Sequence, residues 1–193
     1  MSHFERKPLR YYWQVEILDG PGKPFSWLRL WRRVRRNRPA HFLFWFRLAE
    51  YLSDTKSRML KSFAKGINNK LIQKHGIEIM LGARIAEGLH LSHMQGVVIF
   101  RNVQIGKNFT VRQNTTIGTD FKSEEIVMIG DNVDVGANSC IIGSGLRIGD
   151  NVKIGAMSFV NKSIPNDHVY ITEKRARLLP LADSLVSLSK HGA

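Results

Sequence analysis

The chain has 193 residues, with 29 Lys or Arg against 16 Asp or Glu and a formal charge of +13. That length supports one sizeable core with an appended element and excludes two full domains of typical size. The single cysteine, Cys140, excludes an internal disulfide, no run approaches the roughly 18 apolar residues of a spanning helix, and MSHFERKPLRYYW lacks a signal-peptide core, so a reducing cytoplasmic setting is expected.

The charge is uneven. Residues 1–75 hold 17 Lys or Arg and 5 Asp or Glu, and residues 76–193 hold 12 and 11. Residues 1–22, with a DGPG turn at Asp19 to Gly22, read as an irregular arm. In Trp27 to Arg38, Arg29, Arg32, Arg33, Arg35, Arg36 and Arg38 interleave with Trp27, Leu28, Leu30, Trp31 and Val34. Such a stretch suits an anionic membrane surface or an acidic glycan, and a solvated basic helix reads equally simply. Nucleic acid is not expected, since neither an aromatic RNA-binding motif nor a zinc-finger spacing accompanies it.

From Pro24 to about Lys74 the apolar spacing of Phe42, Leu43, Trp45, Phe46, Leu48, Ala49 and Leu52, then Leu60, Phe63, Ile67 and Leu71, predicts two or three helices. Pro39, the Ser53–Asp54 step and Gly66 are the expected interruptions. Phe42 to Tyr51 reads as a packing face. The organisation is therefore a basic, mainly helical region over 1–75, a repeat domain over 76–178, and a tail or capping helix over 179–193.

Beyond Gly76 the period changes to six. Aliphatic residues return at Ile99, Ile105, Val111 and Ile117, then at Ile129, Val135 and Ile141, and after one extra residue at Ile148, Ile154 and Val160. A repeat so short cannot bury its own apolar face, so consecutive hexads must stack. Six is not the helical period, and the strands of a β-sandwich would recur at about 8 to 12 residues. The expectation is a mainly β fold, a parallel β-helix whose triangular coils turn at Gly and Asn corners. A non-hexad loop, Gly118 to Met128, interrupts it and carries Asp120, Lys122, Glu124 and Glu125; it reads as a lid that touches substrate or as a solvated excursion.

The segment GIEIMLGARIAEGLHLSHMQGVVI, the hexads, the GANSCIIG and KIGAMSFV blocks, the SIP turn and the closing RAR resemble hexapeptide-repeat acyltransferases. The likeness is to the serine acetyltransferase type, with its relatives that O-acetylate bacterial surface polysaccharides. The resemblance covers residues 76–178 and, more loosely, the helices from His41. It implies a left-handed parallel β-helix, a homotrimer or a dimer of trimers with sites between subunits, and acetyl-CoA as acyl donor. His93 in LSHMQG falls at the family's catalytic histidine, and Glu78, fifteen residues upstream, at its acidic partner, usually Asp. Gly118 falls at the oxyanion turn, and Ala137, Ala156, Asn161, Lys162 and Arg177, with Arg175 as its substitute, at coenzyme A contacts. His90 reads as structural.

The chemistry asks for such a pair. A hydroxyl attacking a thioester needs a base of pKa near 7, and a carboxylate on the second ring nitrogen fixes the tautomer. Two departures bear on the acceptor. Serine acetyltransferases carry an acid just before the histidine and an Arg-His pair after the loop; here Ser92 stands at the first position and SEEIVMI ends the loop. With Ser92, Asp120 and Lys122 as substrate contacts, the expected acceptor is a sugar hydroxyl of a bacterial surface polysaccharide or its lipid-linked precursor, with residues 23–47 available for peripheral membrane contact. Serine O-acetylation is the alternative within the enzyme class. A non-catalytic scaffold for membrane or glycan is the alternative outside it. A zinc-dependent carbonic anhydrase would need three histidine ligands, and only His90 and His93 lie close together in the repeat, so no metal is expected.

Overall fold

A computed structural model of the chain describes residues 6–18, 20, 22 and 24–173. Four helices come first: α1 (Leu9–Glu16), α2 (Trp27–Arg36), α3 (Arg38–Ser53) and α4 (Arg58–His75). α1 corrects the irregular arm expected over residues 1–22. It buries Tyr12 and Trp13, and the Trp13 ring stacks on Phe44 of α3 at 4.5 Å, so docking on α3 organises a stretch with weak helical signals.

Local chemistry sets the ends of the other three. Side-chain oxygens of Ser26, Asn37 and Ser57 accept from Arg29, Ala40 and Leu60 N–H and cap α2, α3 and α4. Pro39 lies in the first turn of α3, where its missing N–H costs nothing. Gly66, expected as an interruption, lies inside an unbroken α4. That helix instead ends at Gly76, whose φ of 65° closes it in the left-handed conformation.

Among the described residues the chain then winds through fourteen short strands, all pairing in parallel, in about five coils. One face of the prism stacks β1 (Ile77–Ile79), β4 (Val97–Ile99), β7 (Thr116–Gly118), β10 (Cys140–Ile142) and β13 (Phe159–Val160). The second stacks β2 (Arg84–Ile85), β5 (Val103–Ile105), β8 (Val127–Ile129) and β11 (Arg147–Ile148). Ile164 extends it by a bridge to Ile148. The third stacks β3 (His90–Leu91), β6 (Thr110–Val111), β9 (Asp134–Val135), β12 (Lys153–Ile154) and β14 (Val169–Tyr170).

The hexad aliphatics form the inward columns that the period predicts. Ile79, Ile99, Ile117, Ile141 and Val160 stack on the first face, and Ile85, Ile105, Ile129, Ile148 and Ile164 on the second, all buried. Burying each such side chain contributes roughly 1.5–3 kcal/mol, and this carries a coil that has no long strands.

Corners need a left-handed residue once per turn, and asparagine supplies it. Asn108, Asn132 and Asn151, all with φ of 54–57°, pass a ladder of amide hydrogen bonds at 2.7–3.0 Å down one edge, ending on Asp167. Gly136 answers a different constraint: a Cβ there would run into the backbone of Ala156 in the next coil.

Helices and coil share one apolar core, and a buried ion network joins them. Arg47 of α3 is fully buried, and its Nη2 and Nε donate to Glu16 of α1 at 2.5 and 3.0 Å. Its Nη1 donates to Glu50 and to the Ile85 carbonyl, and Nη2 also to the Ala86 carbonyl, at 2.7–2.8 Å. Glu16 accepts in turn from Leu89 N–H. Burial pushes the Glu16 carboxyl up against the pull of Arg47, whose own pKa is raised by the two carboxylates. The forked geometry and the guanidinium's permanent charge make the pair ionic.

Candidate active site

Two edges flank the first face of the prism, and the candidate residues divide between them. The edge that enters this face carries His93, then Arg112 to Asn114, Ala137 and Asn138, and Ala156 and Met157 in successive coils. Gly96 N–H donates to the Gly76 carbonyl, Asn114 N–H to Gln95, Asn138 N–H to Gln113 and Met157 N–H to Ala137, which fixes the stacking. The edge that leaves the face carries Phe100, the loop after β7, Gly143 to Gly145, and then Asn161 and Lys162.

His93 sits where the coil is two residues too long. Leu91 pairs with Val111 and Ile99 with Ile117, so eight positions separate the first of each pair where six separate the second. The surplus is accommodated by a turn in which His93 takes a φ of 56°, and its side chain is exposed. Histidine tolerates that conformation better than most residues. The broken spacing was visible in the sequence and, among the described residues, marks the one turn on this edge that projects a titratable ring.

Glu78 lies one coil earlier on β1, half-buried, facing outward opposite Val98 of β4. Among the described residues no hydrogen bond or ion pair joins it to His93. Ser92 precedes the turn and donates its N–H to the Val111 carbonyl. His90 is exposed at the start of β3. A cleft of about 530 Å³ opens there, lined by Arg33, Asn37, Leu43, Leu89, His90 and Leu91 among others, directly before the His93 turn.

Ala137 and Ala156 stack at the entering edge, half-buried and exposed respectively, so small side chains leave this edge open along two coils. Arg112, on the same edge, was not singled out from sequence. It is ion-paired with Asp134, and that hydrogen bond raises its pKa. Exposed Asn161 and Lys162 lie at the other edge, away from the two alanines. Arg175 and Arg177, with the expected capping helix, lie outside the described residues.

Gly118 ends β7, buried between Phe100 and Ile142, and its carbonyl accepts from Gly143 N–H at 3.2 Å. A Cβ there would stand 3.5 Å from Phe100, an ordinary contact, so packing alone does not demand glycine.

Six surplus residues follow, since Ile117 and Ile129 are twelve apart where the hexad requires six. The loop, Thr119 to Ile126, is braced by the one-residue insertion opposite it. Ser144 Oγ donates to Asp120 Oδ1 at 2.7 Å, lies 2.7 Å from Thr119 Oγ1 and accepts from Ser123 N–H. Lys122 pairs with Asp120 at 3.1 Å. The Ser144 hydrogen bond leads in holding the Asp120 carboxyl down at about 2. Asp120 and Lys122 are thus bound to the loop's own frame. Phe121, 77% exposed with a φ of 60°, stands edge-on to Phe100 at 5.5 Å.

Cys140 is free and half-buried on the outward ladder between Thr116 and Phe159. Among the described residues no group of three or more His, Cys, Asp or Glu is placed to hold a metal ion, and no helix is long and apolar enough to cross a membrane.

No family model matches the chain. It is 43% identical to the serine acetyltransferase of Staphylococcus epidermidis over 93 residues, which is 47% of this chain and 43% of that one. It is 34% identical over 110 residues to the Helicobacter pylori serine acetyltransferase, 54% and 60% of the two chains. The chain spans less than two thirds of the length of these curated relatives. In fold it is similar to serine acetyltransferase isoform 3 of Entamoeba histolytica in complex with cysteine, with a TM-score of 0.68 and 26% identity over 93% of this chain and 63% of that one. The Brucella abortus serine acetyltransferase in complex with coenzyme A shares the fold, with a TM-score of 0.63 over 75% and 62% of the chains at 24% identity. In its stacked hexads and helical N-terminal region the chain is similar in fold to these serine acetyltransferases, and over about half its length it is similar to them in sequence.

Proposed function

We propose that the protein transfers an acetyl group from acetyl-CoA to a hydroxyl, with His93 as general base. The observation that carries this is the His93 turn, an insertion in an otherwise regular coil that exposes an imidazole on the edge kept open by Ala137 and Ala156. His93 takes the proton of the acceptor hydroxyl as its oxygen attacks the thioester carbonyl. A tetrahedral oxyanion forms and collapses, and the imidazolium returns the proton to the departing thiolate. Glu78 is the partner for the second ring nitrogen; its alignment with His93 belongs to the substrate-bound state, since such hydrogen bonds often tighten only there. Gly118 lies on the same face as an oxyanion donor. Ala137 and Ala156 line the pantetheine path, and Asn161, Lys162 and Arg177 serve the coenzyme from a neighbouring subunit in a trimer. The exposed apolar Met157 and Phe159 beside Ala156 support such a contact.

L-serine is the acceptor we favour, because the curated relatives that resemble this chain are named serine acetyltransferases. A sugar hydroxyl of a surface glycan is the second reading. It rests on Ser92 in place of an acid and on a loop without an Arg-His pair, in which Asp120 and Lys122 are bound to each other.

Thiol release from acetyl-CoA, followed with L-serine and with a panel of bacterial oligosaccharides, separates the two. Serine turnover without sugar turnover supports the first reading and the reverse supports the second. Release unchanged in His93→Asn removes His93 from the mechanism, and a monomeric mass by light scattering removes the intersubunit site.

A further inference from the structure

We propose that the outer face of α2 is a docking surface for an anionic lipid bilayer. Leu30 and Val34, four apart, turn inward and are buried, which fixes the opposite side of the helix as the outer face. Leu28, Trp31, Arg32 and Arg35 follow the i, i+3, i+4, i+7 spacing on that side. Leu28 is 74% exposed and Trp31 43%, and Trp27 at the start of the helix is 54% exposed. Arg32 and Arg35 are exposed and make no ion pair or hydrogen bond among the described residues. The helix contains no acidic residue.

The mixture selects the partner. A soluble polyanion needs the arginines but gains nothing from an exposed leucine beside two tryptophans that pack one edge on Trp13, Phe25 and Phe44 and leave about half their surface in water. The headgroup layer takes both, because apolar side chains sink toward the acyl boundary while guanidinium groups stay with the phosphates. A two-fold contact between copies would set this face against itself, with arginine opposite arginine and no carboxylate between them. Contact is peripheral: the helix has ten residues, about 15 Å, too short to span.

The test needs no acyl donor and no acceptor, so its failure and that of the acetyl-transfer reading are distinguishable. The full chain is sedimented with vesicles of phosphatidylcholine alone and with vesicles mixed with phosphatidylglycerol. Binding is expected only to the mixed vesicles. It should fall when salt rises from about 0.1 M to about 1 M, which shortens the screening length from about 10 to about 3 Å. Each of Arg32→Gln and Arg35→Gln should weaken it about fivefold. Leu28→Ser and Trp31→Ser, with every arginine kept, should weaken it as well; Leu28 is exposed enough for circular dichroism to remain native, and Trp31→Leu keeps an apolar contact to Phe44 as the control for the second site. Equal binding to both vesicle types, or no binding, overturns the proposal. So does vesicle binding that depends on the arginines but not on Leu28 and Trp31, the signature of a polyanion site. A drop in solution mass on Leu28→Ser would also overturn it, by showing that a second copy covers the face.

Discussion

His93 holds two jobs that substitutions can separate. Its φ of 56° is tolerated by asparagine and resisted by β-branched residues. His93→Asn should therefore keep the thermal midpoint while acetyl transfer falls on the order of 10²–10⁴-fold. His93→Val should lower the midpoint as well, and equal midpoints for the two would refute the strained turn. A second test concerns the loop. Ser144→Ala removes the leading hydrogen bond to Asp120, so its carboxyl should titrate well above about 2, toward its ordinary 3.8. Carbon-detected NMR titration reads the change, and an unmoved titration would mean that the serine does not brace the loop.

At the scale of elements, the Glu16–Arg47–Glu50 network ties α1 and α3 to the coil segment from Ile85 to Leu89, just before the His93 turn. Replacing one partner of a buried pair leaves the others uncompensated, so Arg47→Met should cost about 3–5 kcal/mol in urea denaturation. The double variant Glu16→Gln, Arg47→Met should be more stable than Arg47→Met alone; equal losses would mean that buried charge is not the cause. Sequence reading located the stacked hexads, the helices after Pro24 and the loop after Gly118, because each follows from a period or its interruption. It missed α1, whose order comes from Trp13 stacking on Phe44, thirty-one residues away, and it placed a break at Gly66 where α4 runs through. It also missed Arg112, whose place against Asp134 and Val135 of the next coil depends on coil stacking.

For the whole molecule, the junction of helices and coil makes stability depend on pH. His75 is buried at the end of α4, 3.1 Å from His41, with Arg38 and Lys74 facing the pair. Burial first, then the neighbouring positive charges, pull its pKa from an ordinary 6.5 down to about 4. Between those values the unfolded chain takes up a proton that the folded chain refuses. Stability from this site is complete above about pH 6.5 and is lost as pH falls toward 4. The thermal midpoint should drop between pH 7 and 5, less so in His75→Gln, and a flat profile in the wild type would contradict this. Asp120, with its depressed pKa, acts only in a lower window, below about pH 4.

The sequence by itself determined the β-helix, because a six-residue aliphatic period has a single way to bury its apolar face: coil upon coil. It also marked His93, Glu78 and the loop, through motif and broken spacing. Only the tertiary structure decided which residues share an edge. Ala137 and Ala156 stand in line with the His93 turn, Asn161 and Lys162 at the other edge, and Asp120 and Lys122 hold each other. Each insertion shifts the register of everything after it, and where a side chain then points depends on how neighbouring coils absorb the surplus residues, a contact between segments 16 to 24 positions apart that no local pattern encodes.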